Sequence, residues 1–132
     1  MDFKKTFGSI DPTQLAQWYN WHDSEFLIAP TETIAFRNET LRTFSVADIS
    51  ADGLAKKTAM EVVELESGIK AKTVLLDWKN IFEGEREIPY SVDKATEYLT
   101  HYDDFRMFVD EKAEALSIKQ QNIVRNNFEL PP

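Results

Sequence analysis

Residues 17–30 read Gln-Trp-Tyr-Asn-Trp-His-Asp-Ser-Glu-Phe-Leu-Ile-Ala-Pro, two β-prone runs around the polar tetrad His22-Asp23-Ser24-Glu25. This pattern predicts a β-hairpin. A period of two sets Trp18 and Asn20 on one face and Tyr19 and Trp21 on the other, and places Phe26 and Ile28 together. Pro30 closes the second strand because it has no N–H to give to a ladder. From Thr31 the spacing lengthens. Ile34, Phe36, Leu41 and Phe44, with Glu39 and Arg42 between them, predict a short amphipathic helix with Thr31 as its N-cap. Ser45 to Gly53 reads as a loop, and a second helix starts near Leu54, carries Ala55, Thr58, Ala59, Val62 and Val63 inward, and meets Gly68.

Ala71, Val74, Leu75, Trp78, Ile81 and Phe82 then share one face at helical spacing and predict a central core helix, stopped by Gly84. Arg86-Glu87-Ile88-Pro89-Tyr90 crosses over in extended form, since Pro89 biases Ile88 away from helical angles. Ser91 is an N-cap for a short helix with Val92, Ala95, Leu99 and Tyr102 inward and Asp93 in its first turn. The longest helix runs from about Phe105 to Arg125. Its stripe of Phe105, Phe108, Val109, Leu116 and Ile123 is interrupted by Lys112, Lys119 and Gln120. The expected fold is α+β and predominantly α-helical: an N-terminal β-hairpin followed by about five helices in a single domain over 1–132, with flexible ends at 1–16 and 126–132.

Composition supports one core. A chain of 132 residues is of single-domain size, and its 42% apolar content, with nine Phe and three Trp, offsets the entropy of ordering. Fifteen basic against twenty-three acidic residues give a net charge of −8, which disfavours nucleic acid and anionic membranes as partners. No apolar run has membrane-spanning length, and Met1-Asp2-Phe3-Lys4-Lys5 leads into no signal-like segment, so the chain is read as soluble and unexported. The absence of cysteine excludes disulfides, thiol catalysis and thiolate metal sites.

Candidate chemistry is sparse. His22 beside Asp23 fits a base with its orienter, but an exposed hairpin turn explains the pair as well. His101 sits where a helix ends and favours the dipole there. Asp48, Ser50, Asp52 and Gly53 match the first, third, fifth and sixth positions of an EF-hand loop, yet the twelfth, which must be a bidentate Glu, is Ala59. Phosphate-binding glycine loops and the G-x-S-x-G elbow are absent. Trp18, Tyr19 and Trp21 lack the basic track that accompanies base-stacking sites. No catalytic residue, metal or cofactor is therefore assigned.

The order of motifs from Ala71 to Ala115 carries more information. A helical segment ends in Asp77-Trp78-Lys79-Asn80, a charged turn with Gly84 follows, then Ile88-Pro89-Tyr90-Ser91, then a short and a long helix. This resembles the small tail assembly chaperones of long-tailed bacteriophages. Trp18, Trp21, Phe26 and Ile28 resemble the N-terminal hairpin of the same proteins, so the likeness extends from about Trp18 to Leu116. The turn is richer in charge than the family's usual Gly with Asn or Asp. The motif residues support the fold and transfer no catalytic set.

The resemblance implies a non-catalytic assembly factor of the bacterial host cytoplasm, absent from the mature virion. Such proteins coat the phage tape measure protein and help recruit major tail protein, and a homo-oligomer would suit a coat. The expected docking face is Phe105, Val109, Leu116 and Ile123, with Phe128 adding reach. The same stripe also fits packing against the Trp78 segment, and charge substitutions at Leu116 and Ile123 separate the two readings. Three rivals remain: a minor tail or head-completion protein retained in the virion, a carboxylate-dependent hydrolase using Asp77, Glu83 or His101, and an acidic mimic of nucleic acid.

Overall fold

The computed structural model describes residues 1, 15–46 and 57–128, and their side chains except those of 45, 46 and 121–128. The hairpin pairs β1 (Gln17–Trp21) with β2 (Ser24–Ile28), with Trp21 opposite Ser24 across the His22-Asp23 turn. His22 takes φ 56°, a left-handed conformation uncommon outside glycine, and its ring lies edge-on to Trp21 at 4.5 Å. Pro30 follows the strand and is buried.

The first helix after the hairpin, α1 (Ile34–Val46), is capped by Thr33, whose hydroxyl accepts the Phe36 N–H at 3.1 Å. The cap is therefore not Thr31, which is used elsewhere: its N–H donates to Ser117 Oγ at 3.1 Å and ties the hairpin exit to the last helix. Of the expected amphipathic stripe, Phe36 packs against the core and Phe44 is half-buried, whereas Ile34 and Leu41 face outward. The expected loop over 45–53 and the incipient EF-hand residues fall almost wholly outside the described residues. The next helix, α2 (Ala59–Thr73), starts at the Thr58 cap and runs straight through Gly68.

The main departure comes next. Residues expected to form the central helix instead turn at Val74 into a strand, β3 (Leu75–Lys79), which pairs antiparallel with β2. The sheet order is β1-β2-β3, with Phe26 opposite Trp78 and Ile28 opposite Leu75, and an irregular register between Leu27 and Ile28. A bulge at this point lets both Leu75 and Trp78 enter the core although they are three residues apart. Beyond Asn80, at φ 61°, a two-residue ribbon pairs β4 (Phe82–Glu83) with β5 (Arg86–Glu87). Gly84 does not end a helix. It occupies the left-handed position of this turn, at φ 65°.

Ser91 caps α3 (Val92–His101), accepting the Lys94 N–H at 3.1 Å. Ala95 and Leu99 are fully buried, whereas Val92 and Tyr102, also expected inside, are exposed. The longest helix, α4 (Asp103–Phe128), begins with Arg106 reaching back to the Leu99 carbonyl at 3.0 Å, which satisfies an orphan acceptor at the end of α3. The result is a mostly helical α+β fold with four helices among the described residues. Its core unites Phe26 and Ile28 of the hairpin, Val74, Leu75 and Trp78, and the inner face of α3 and α4.

Candidate functional site

The motif residues from Trp78 to Ser91 form one joint. The Trp78 indole N–H donates to the Ile88 carbonyl at 2.9 Å, and the Ile88 N–H donates to the Ile81 carbonyl at 2.8 Å. The Tyr90 hydroxyl lies 2.7 Å from the carbonyl oxygens of both Ala71 and Leu75, where α2 ends and β3 begins. Burial pushes the Tyr90 phenol up to about 12. Trp78 packs edge-on against Tyr90 at 5.0 Å, with Tyr98 on another side at 5.5 Å. Pro89, between the two anchors, is exposed and sets the extended path.

Beside this joint a groove of about 460 Å³ opens between residues of the β4 strand and α3. Ile81 and Phe82 form one wall, and Tyr98 and Tyr102 of α3 and its cap form another. Trp21, Phe26 and Phe105 form the floor, with Trp21 5.7 Å and Phe26 5.0 Å from Phe105 between ring centroids. Phe82 and Tyr102 are 55% and 59% exposed, so the aromatic surface continues from core to solvent. Single exposed apolar residues are ordinary; several converging on one concavity mark an interaction surface.

Polar groups stand at the rim. Glu83 Oε1 accepts the Tyr98 hydroxyl at 2.7 Å and Lys94 Nζ at 3.1 Å, and the Tyr98 bond together with Lys94 holds the Glu83 carboxyl below its ordinary range. Burial and the bond to Glu83 push the Tyr98 phenol up to about 12. Lys94 also pairs with Glu97 at 3.0 Å. Asp104 lines the groove and forms no ion pair among the described residues.

A wider cleft of about 950 Å³ lies beside α1 and is lined by Ile34, Phe36, Leu41, Lys70, Asp110 and others. Lys70 and Asp110, 2.9 Å apart, neutralise each other there and link α2 to α4. His101 lines a third, acidic depression with Glu64 and Glu97.

The hydrolase candidates are dispersed: Glu83 belongs to the groove and His101 to the depression, while Asp77 accepts the Trp78 N–H at 2.8 Å on its own strand. His22 remains at the exposed hairpin tip. No cluster suited to a metal ion occurs among the described residues.

The first part of the docking stripe expected on α4 does not face outward. Phe105, Val109 and Leu116 are buried in the protein's own core, because β2 and β3 offer them an apolar face to cover. Ile123 and Phe128 lie further along α4, with side chains outside the described set. Of the hairpin residues, Ile28 is fully buried, Trp21 and Phe26 reach the groove floor, and Trp18 lies on the outer face, where Lys79 Nζ is 4.2 Å from its ring centroid.

A family model described as YdaY prophage protein matches residues 35–125, more than half of the chain. The chain belongs to the YdaY prophage protein family. It is thereby a prophage protein. The YdaY match spans α1 to most of α4, and so includes the crossover joint and every groove residue except Trp21 and Phe26 of the hairpin. Comparison with curated proteins and with solved structures gave no match.

The helical pattern conceals the groove, because Phe82 fits the last core position of a helix and Tyr98 stands outside the apolar face of Val92, Ala95, Leu99 and Tyr102. Two signals point to it. Phe82-Glu83-Gly84-Glu85-Arg86-Glu87 contains a Gly turn between charged strand ends, and Tyr98 and Tyr102 recur four residues apart on one helix face.

Proposed function

We propose that this YdaY family member is a non-catalytic tail assembly chaperone, which engages the phage tape measure protein, helps recruit major tail protein in the host cytoplasm, and leaves before the virion is finished. The observation that carries the reading is the aromatic groove, built by the same Trp78–Ser91 joint whose sequence resembles that of tail assembly chaperones. A long helical partner presents apolar stripes, and a concavity of aromatic side chains accommodates one such stripe at each repeat. The net charge of −8 keeps a coat of many copies soluble. Contacts of this size are individually weak, so binding along a filament depends on repetition and reverses when tail protein competes for the same length.

The test is mass spectrometry of a tagged copy recovered from phage-producing cells, set against the protein content of purified virions. Recovery of tape measure and tail tube proteins, with absence from virions, is the expected result. Stoichiometric presence in virions replaces the chaperone with a structural tail or head-completion protein. Recovery of neither phage protein overturns both.

A further inference from the structure

We propose that the groove is selective for a cationic side chain: it receives a partner segment in which a Lys or Arg stands one helical turn from an apolar residue. The apolar residue seats against Ile81 and Phe82, and the cation lies over the Tyr102 ring beside the Asp104 carboxylate. The inference rests on the groove being the docking surface proposed above, and adds what that surface selects.

Charge complementarity carries it. The residues lining the groove include two carboxylates and no Lys or Arg; Glu83 is already held by Lys94 from outside the lining, as Asp110 in the cleft beside α1 is held by Lys70. Lys94, shared between Glu83 and Glu97 at 3.1 and 3.0 Å, also lies 5.7 Å from the Tyr98 ring centroid and so takes the cation position of that ring. Asp104 has no cation of its own among the described residues. The Tyr102 ring, 59% exposed and 5.9 Å from Tyr98, lines the groove together with Asp104. Aromatic faces flanked by acids attract an organic cation through the ring quadrupole and the net field together. Guanidinium is the better fit, since it stacks on a ring while donating to a carboxylate at its edge. A purely apolar segment would bury the Asp104 carboxylate without compensation, which disfavours it.

The test uses the full chain and two capped, fluorescein-labelled helical peptides of about four turns. One carries Leu and Arg one turn apart, and the other replaces each Arg by Gln. Anisotropy titration is expected to show the Arg peptide binding at least about tenfold more tightly, the scale of a desolvated cation contact. Asp104→Asn should bring that ratio towards one, Phe82→Ala should weaken both peptides, and Glu111→Gln, a loss of charge on α4 outside the groove, should leave the ratio intact. Equal affinities for the two peptides, an equal effect of Glu111→Gln and Asp104→Asn, or no binding by a protein with unchanged circular dichroism overturns the proposal. Phage production with the Phe82→Ala gene separates this idea from the one above. Normal tails alongside intact Arg selectivity remove the assembly role and leave the receptor; failed tails without Arg selectivity remove the receptor alone.

Discussion

Replacing Tyr90 by Phe removes one oxygen and leaves the ring. In the native protein that hydroxyl lies 2.7 Å from both the Ala71 and Leu75 carbonyls. Ala71 is in the last turn of α2, where helix carbonyls have no intrahelical donor, and its residue is fully buried. The substitution therefore loses a hydrogen bond and leaves a buried acceptor with no side-chain donor, a combination that costs about 1–3 kcal/mol. For a domain of this length, about 2 kcal/mol corresponds to a fall in Tm of roughly 6–10 °C. Urea titration followed by far-ultraviolet circular dichroism should show a lower midpoint with an unchanged m value. The same hydroxyl predicts an alkaline effect. The folded phenol titrates at about 12 and the unfolded one near 10, so the stability it confers is complete below pH 10 and is lost as the pH rises from 10 towards 12. Tyr90→Phe should flatten that decline, leaving the part due to Tyr98. A midpoint within about 0.5 kcal/mol of the parent at pH 7, with the same alkaline profile, would refute the claim that Tyr90 fastens the α2–β3 junction.

Leu116→Glu should abolish cooperative unfolding at neutral pH, since it puts an unpaired carboxylate into the core, whereas Ile118→Glu, at a side chain 52% exposed, should shift the midpoint by less than about 0.5 kcal/mol. Ser117→Ala removes the acceptor of the Thr31 N–H at 3.1 Å and should cost about 1–2 kcal/mol by thermal denaturation. Gly84→Ala forces a side chain into φ 65° and should destabilise by about 1 kcal/mol while nothing in space obstructs it, so a larger loss would point to a steric cause instead.

The elements legible in the sequence are those whose signals are local. The hairpin announces itself by two β-prone runs about a polar turn, Ser91 by its place before an acidic first turn, and α4 by sustained spacing over five turns. The α2–β3 boundary is not local. Ala71, Val74, Leu75 and Trp78 satisfy a helical face as well as a bulged strand, and no Gly or Pro punctuates Thr73. The strand prevails because β2 offers an unpaired edge and the Tyr90 hydroxyl donates at the carbonyls of the junction, both distant in sequence. The same error hid the groove, since Phe82 could become a wall only once the preceding residues had left the helix. The α4 stripe was legible as apolar; whether it faced the protein's own sheet or a partner depended on a third strand that the pattern did not reveal.

The fastening of α2 by a residue 19 positions downstream has a consequence during synthesis. A nascent chain that has not yet delivered Tyr90 from the ribosome has no donor for the Ala71 and Leu75 carbonyls, and the helical pattern of residues 71–82 meets no competing contact from the crossover. The third strand is then free to extend α2. Emergence of Ile88 and Tyr90 supplies the Trp78 acceptor and the junction donor together, so the contacts that fasten the end of α2 and the start of β3 arrive only once translation has passed the motif that builds the groove.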